Sequence, residues 1–412
     1  MGGGVSVSVT EQILDLSVKT ANLIRDDRRA VHRRPGVGMQ VQETASLVAD
    51  SLERMGLDVT RNVGGAGVVA LLRGAADGPF VGLRADMDAL EIQEQTDLPY
   101  RSEIDGVMHA CGHDAHTAML LGAARILSRL GDRLSGGVKF VFQPAEECAP
   151  TGGAPAMIAD GVLEDPPVEA MVALHVWPDL PTGKVGVKAG PIMGASDRVN
   201  LVIRGRSAHG SSPEKGVDAV VMAAQLITAL QTVVSRGVSP LDSAVLTFGT
   251  INGGYRYNVL ADQVRIDGTL RTLDPQVRDL VVERIKSLSI GVSRGMGGDV
   301  EVHYEMGYPV TVNHPGIASV ARDSVVDLLG EEGLWEVDRP SLGGEDFSFF
   351  ASKVPSAFLW LGCRPPGIPP EDFPPLHNPR FNLDEDCLPL GAAVLAKIAW
   401  DLLDCRRGGV SR

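Results

Sequence analysis

The sequence of 412 residues predicts a two-domain α/β protein, in which a central mixed sheet flanked by helices is interrupted by an inserted α+β unit of ferredoxin-like order. Three observations carry that reading. Short apolar strands alternate with amphipathic helices up to residue 193, the pattern of an α/β sheet covered by helices. From Ser196 to Glu305 the order becomes strand, helix, two strands, helix, strand, that of a split β-α-β unit. A helix and a closing helix then follow, so the main domain is divided into residues 11–193 and 308–405, with the insertion at 194–307.

Taken in order, residues 1–10 read as disordered, and a helix runs through Arg33 until Pro35-Gly36 breaks it. Val41, Ala45, Val48, Leu52 and Met55 share one helical face, and Gly56 stops them. Strands are expected at Gly67–Leu72 and Pro79–Arg84, the second delivering Asp86 and Asp88 at its carboxyl end. His109–His116 leads into a helix with Leu120, Ala124 and Leu127 inward and Gly131 closing it. Val138–Phe142 is a short apolar strand just before Glu146 and Glu147, and Ala170–Leu174 is another, with His175 at its end.

In the insertion, helices are expected over Val217–Arg236 and Pro275–Arg294, the second capped by Asp274 with Pro275 at its first position. Strands are expected over Ala244–Ile251, Gln263–Thr272 and Asp299–Glu305. Asn313-His314-Pro315 opens a helix that ends at Gly330, Gly343–Pro375 reads as a glycine- and proline-rich stretch, and Leu388–Leu403 forms a closing helix.

A formal charge of −14 argues against a nucleic-acid or anionic-membrane surface and favours a small-molecule or peptide ligand. Five scattered cysteines suit a reducing cytoplasm better than a disulfide framework. No apolar run reaches membrane-spanning length, and the amino end lacks a charged-then-apolar signal. Met1–Ser6 formally fits a myristoylation pattern, but a flexible glycine-rich end is the better reading of it.

The chemistry gathers around His109-Ala110-Cys111-Gly112-His113-Asp114-Ala115-His116. Thiolate and imidazole suit borderline-soft divalent metals. Glu146-Glu147, His175 and His377 are the groups that can converge on Cys111 and His113, and in open α/β sheets ligands collect beyond the carboxyl ends of strands. Five ligands exceed what one tetrahedral catalytic metal takes and suit two metals about 3.5–4 Å apart. Cys111 is the bridging candidate, since one thiolate can serve two cations. Glu146 and Glu147 point in opposite directions on an extended backbone, so Glu147 is assigned as ligand and Glu146 as general base. Asp86 and Asp88 are candidates for orienting a ligating imidazole from behind. His116, His32, His109, His303 and His314 take structural readings. A competing assignment makes Cys111 a thiol nucleophile beside a histidine, and another makes the chain a silent carboxylate-binding protein. The first leaves Glu147 and His377 without a use, and the second leaves Glu146 without one.

These residues carry a resemblance. Leu83–Leu90, His109–His116, Gln143–Glu147, Leu174–Pro178, Gly205–His209, Gly249–Gly253 with Asn258, Gly343–Ser348 and Leu376–Pro379 resemble, in order, the motifs of the metal-dependent aminoacylase and carboxypeptidase family, peptidase family M20. The likeness is to its amidohydrolase branch of hippurate, N-acyl-amino-acid and indoleacetyl-amino-acid hydrolases. It implies a zinc-exopeptidase-like catalytic domain carrying a lid that also forms a homodimer. It implies two divalent ions (zinc, manganese, cobalt or nickel) on Cys111, His113, Glu147, His175 and His377, with Glu146 as base. It implies that His209 polarises the scissile carbonyl, often in the neighbouring subunit, and that Asn258 and Arg271 bind the substrate carboxylate. The expected reaction is amide hydrolysis of N-acyl amino acids, or, as the alternative, carboxypeptidase or dipeptidase action on small peptides. Two departures stand out: His32-Arg33-Arg34-Pro35-Gly36-Val37-Gly38 replaces the family's His-Arg-His-Pro-Glu-Leu-Gly, and Ala261 replaces a turn proline. Both lie outside the ligand set.

Overall fold

The computed structural model describes residues 7–407. Helix α1 (Val9–Arg33) starts on Ser8, whose hydroxyl accepts from the Glu11 amide while the Glu11 carboxylate returns to the Ser8 amide, a reciprocal cap. Val9 and Thr10 are therefore helical, and the expectation of disorder to residue 10 fails there. Met1–Ser6 lie outside the described residues. Helix α2 (Gln42–Arg54) buries Val48 and Leu52, and β1 (Asp58–Val63), β2 (Gly67–Arg73) and β3 (Ala76–Asp86) follow. Helix α3 (His113–Ser128), β4 (Ser135–Gln143), the short α4 (Ala154–Ala159), β5 (Val168–Pro181), β6 (Val185–Val187) and β7 (Gly190–Met193) complete the first part.

The inserted segment contributes β8 (Ala195–Arg204), α5 (Ala219–Ser235), β9 (Ala244–Gly253), β10 (Gln263–Thr272), α6 (Pro275–Gly295) and β11 (Asp299–Tyr308). Its four strands form their own antiparallel sheet in the order β11-β8-β10-β9. Asp274 caps α6 through the amides of Gln276 and Val277. Val199, Leu201, Ile203, Ile266 and Leu270 turn one face of this sheet toward Met222, Leu226, Val281 and Ile285 of the two helices. Among the described residues no helix covers the opposite face.

The chain then returns through β12 (Thr311–Asn313), α7 (Pro315–Leu329), β13 (Leu334–Glu336), α8 (Phe347–Ala351), β14 (Ser356–Arg364) and α9 (Cys387–Arg407). The main sheet has eight strands in the order β1-β2-β4-β3-β5-β14-β6-β13. Val81, Leu83, Val172, Leu174, Leu359 and Leu361 point to the side covered by α1, α3 and α9. Met171, Ala173, Phe358 and Trp360 point to the other side, toward Met157, Phe347 and Phe350 of α4 and α8. Strands buried on both faces lose the polar–apolar alternation.

That loss explains the main correction. Within the stretch read as glycine- and proline-rich, Ser356–Arg364 is a strand, parallel to β5 with Trp360 opposite His175. Its Ala357-Phe358-Leu359-Trp360-Leu361 run has no period to betray it. The strand beginning at Ala170 also proves longer. It continues to Pro181, so His175 lies inside it and not at its end.

Candidate metal centre

Strand β3 ends at Asp86, and the chain turns back toward α3. Gly112 precedes α3 at φ +84°, and a Cβ there would stand 2.4 Å from the Val176 side chain. Only glycine adopts this backbone and leaves that room. The turn sets Cys111 and His113 side by side, both buried. Gly112→Ala is expected to cost about 1–3 kcal/mol of stability through strain and overpacking. It should also weaken metal uptake; thermal unfolding and metal titration of the same variant read both effects.

Two further backbone positions are bent for the site. Ala145 has φ +59° and His377 has φ +62°, an uncommon conformation for residues other than glycine. The first redirects the chain after β4 so that Glu146 and Glu147 diverge. The second follows a loop whose His377 amide donates to the Ala110 carbonyl at 2.8 Å, fixing this late residue next to Cys111.

The donor atoms converge in two overlapping groups. Those of Cys111, His113 and His175 lie within 4.8 Å of one another, and so do those of Cys111, Glu147 and His377. Cys111 Sγ is 3.4 Å from His175 Nε2, and His377 Nε2 is 3.2 Å from Glu147 Oε1. His113 Nδ1 is held 2.8 Å from the Asp88 main-chain carbonyl, while its buried Nε2 makes no hydrogen bond. His175 Nδ1 turns to the Val176 carbonyl at 2.7 Å. Both imidazoles thus present Nε2 inward.

Electrostatically the site holds more negative charge than its own cations answer. Burial, with the carboxylates of Glu147, Glu146 and Asp86, holds the Cys111 thiol well above its ordinary range. Burial works against a charge on His113, yet Asp86, Asp88 and Glu147 lift it to about 10. Burial and the facing Glu345 and Glu147 carboxylates raise Glu146 well above the usual carboxylate range. A thiol, two imidazoles turned inward and a carboxylate crowded in this way fit divalent cations, which draw the thiolate form and offset the carboxylates.

The Asp86 carboxylate bonds His116 Nδ1 at 2.6 Å and Arg84 at 2.8 Å. His116 Nε2 accepts from the Val176 amide at 2.9 Å, so both its nitrogens are used inside the fold. The Asp88 carboxylate accepts from the amides of Glu146 and Glu147 at 2.9 and 3.0 Å. It therefore positions Glu146 and Glu147, whereas His113 is oriented by the Asp88 carbonyl. His32 is buried against Asp114 and Glu94, which ties α1 to the first turn of α3.

Glu146 and Arg271 line one cavity of about 540 Å³ together with Cys111, Glu147, His175 and His377. Arg271 enters from β10. His209 and Asn258 are elsewhere: they sit near each other on the inserted unit, where the Gly210 amide donates to the Asn258 carbonyl and Ser211 bonds His209 Nδ1. Neither lines this cavity in the single chain.

The structure adds residues that sequence reasoning passed over. Tyr308, at the end of β11, donates its hydroxyl to the Glu146 carbonyl at 2.5 Å. The buried Arg84 joins Gln143, Asp86 and Asp346 at 2.8–2.9 Å, and Asp346 accepts from the amides of Gly153 and Ala154. This network fastens both ends of the loop that carries Glu146 and Glu147. Its members lie in the Leu83–Leu90, Gln143–Glu147 and Gly343–Ser348 motifs, but nothing in those runs shows that they meet.

A mixed α/β sheet with a donor-lined cavity beside a buried carboxylate defines a hydrolase of the metal-dependent kind. Residues 82–401 match the family described as Peptidase family M20/M25/M40, and the chain belongs to that family. It is 39% identical to N-acetyl-L-cysteine deacetylase of Bacillus subtilis, over 92% of this chain and 87% of the relative. It is 35% identical to thermostable carboxypeptidase 1 of Saccharolobus solfataricus, over 94% of this chain and 98% of the relative. Among solved structures, the YXEP protein of Bacillus subtilis, described as a dinuclear metal-binding peptidase of the same family, superposes with a TM-score of 0.80 at 33% identity. That match covers 94% of this chain and 99% of the other.

Proposed function

We propose that the chain hydrolyses the amide bond of N-acyl amino acids, releasing a carboxylic acid and the free amino acid. The observation that carries this reading is the sharing of Cys111 between two donor groups, with Glu146 buried beside them. A divalent pair on Cys111, His113, His175, Glu147 and His377 supplies Lewis acidity toward the scissile carbonyl and lowers the pKa of water. Glu146 takes the proton from the attacking water and passes it to the leaving nitrogen. The mixed nitrogen, oxygen and sulfur donors suit zinc, manganese, cobalt or nickel.

Arg271 anchors the substrate carboxylate. Half-buried, it makes no hydrogen bond or close ion pair among the described residues, with only the charge of Asp197 acting on it, which leaves its guanidinium able to clamp a carboxylate. The domain division at 11–193, 194–307 and 308–405 supports a lid role for the inserted unit, which reaches the cavity through Ser196 and Arg271. The distance of His209 and Asn258 from this cavity supports a homodimer in which each lid completes the partner's site. The four free cysteines among the described residues support a reducing compartment, the cytoplasm. None of the described helices is long and apolar enough to cross a membrane.

The test is metal analysis of the purified protein with amino-acid release measured on acetyl-, benzoyl- and indoleacetyl-amino acids against dipeptides. Metal-dependent release from the acyl panel is expected. Release from dipeptides alone replaces this reading with the carboxypeptidase one, which the likeness to the Saccharolobus enzyme favours. No turnover of either panel by metal-loaded protein overturns both. For the shared site, a Glu146→Gln chain mixed with a His209→Ala chain should recover roughly a quarter of the activity, as expected for random pairing in a two-fold dimer. No recovery puts His209 inside its own subunit's site, and full activity of the His209→Ala chain alone puts it outside the reaction.

A further inference from the structure

A second cavity, of about 610 Å³, lies on the uncovered face of the inserted sheet and meets the catalytic cavity at Ala149, Ser196 and Arg271. The strand register explains its chemistry. Side chains alternate across a strand, and with Val199, Leu201 and Leu270 turned to the helices, their neighbours Arg198, Asn200 and Arg271 share the open face. Ser196 pairs with Arg271, Arg198 with Thr269 and Asn200 with Asp267. Arg198 and Arg271 are thus diagonal neighbours, roughly 7–8 Å apart at the backbone.

The acidic group of this face is already engaged: Asp267 accepts from Asn200 at 2.5 Å and from Thr250 at 2.9 Å. Asp197 also borders the cavity, and its charge reaches Arg271, but its carboxylate is taken on the helix side by Arg278, the Tyr304 hydroxyl and the Gly307 amide. Arg198 spends one N–H on the Ala149 carbonyl at 2.8 Å, which draws its guanidinium to the mouth between the two cavities. Among the described residues neither Arg198 nor Arg271 forms an ion pair. On a chain of net charge −14, two guanidiniums outside any close ion pair, bordering one cavity, form a local anion receptor.

We propose that this second cavity is a subsite for an anionic side chain on the amino-acid half of the substrate, so that the enzyme prefers N-acyl derivatives of acidic amino acids. The inference rests on the hydrolase reading above. Arg271 holds the α-carboxylate at the junction, and Arg198, one diagonal step further along the sheet, holds the side-chain carboxylate. A neutral amide of the same shape offers that guanidinium no charge, so the two substrates separate by charge alone.

The experiment compares kcat/KM for N-acetyl- and N-benzoyl-glutamate with the corresponding glutamine derivatives, in the metal-loaded full chain and in Arg198→Gln and Arg198→Lys. Glutamate is expected to lead glutamine by roughly tenfold, as a charge-assisted hydrogen bond at a partly exposed site allows. Arg198→Gln should erase that lead while leaving glutamine turnover unchanged, and Arg198→Lys should restore part of it. Equal turnover of both substrates, or a preference that survives Arg198→Gln, overturns the subsite. Calorimetric binding of glutarate against its monoamide keeps the two ideas separable. If no acyl amino acid is cleaved, the reaction assignment fails, while Arg198-dependent selection of the dicarboxylate still supports the receptor; its absence sinks the receptor as well.

Discussion

Glu146→Gln is expected to lower kcat by at least about a hundredfold, the smaller end of what a positioned general base contributes, with the metal content of the protein unchanged. The geometry makes this substitution clean. The scaffold grips residue 146 through its main chain: the amide donates to Asp88 and the carbonyl accepts from Tyr308. Glutamine keeps both contacts and fills the same space, so only proton transfer is lost. Glu147, whose oxygen faces His113 and His377 at 3.9 and 3.2 Å, is untouched. Single-turnover rates with metal analysis of the same sample are the measurement. Turnover within a few-fold of the parent in a metal-replete variant would mean that another group moves the proton.

The second large effect is on stability. Arg84 is buried, and its guanidinium faces the carboxylates of Asp86, Glu345 and Asp346 at 2.8, 3.1 and 2.8 Å. Arg84→Met retains the apolar stem and removes the charge, leaving Glu345 and Asp346 in the interior without their cation and Asp86 with its imidazole partners alone. Breaking a buried pair from one side costs about 3–5 kcal/mol, and here one cation serves three partners. A marked fall in the unfolding midpoint is expected, together with lower metal uptake as the loop from Pro144 to Gly153 loses its fastening. Adding Asp346→Asn to Arg84→Met should recover part of the loss, because one stranded charge is then neutral, and a double-mutant cycle measures the coupling. Wild-type stability in Arg84→Met would show that the acids are relieved some other way.

How much of this could be read from residues alone follows from the physics of each signal. Cys111 and His113 announce themselves by type and spacing, and the place of Glu147 was legible from where a strand ends, whereas no strand was read ahead of His377. The β-α-β-β-α-β order, read over Ser196–Glu305, was legible because each of its strands keeps one polar face. Strand β14 was not, since an interior strand of a parallel sheet shows only an unbroken apolar run between prolines. His175 was read at the end of Ala170–Leu174, yet β5 runs through it to Pro181. Tyr308 was invisible for a different reason: it acts on a main-chain carbonyl, which leaves no trace in the partner's residue type. Arg84 and Asp346 meet across 262 positions, and neither has a local pattern that names the other.

The place of β14 has a consequence for synthesis. It is the inner neighbour of β5 in the sheet, yet it is made last among the long strands. Until the ribosome has passed Arg364, the nascent chain presents β5 as a bare edge with a long apolar register, the kind of template that recruits other chains. Dependence on chaperones during translation should therefore end abruptly once this one strand emerges, well after the inserted unit is complete.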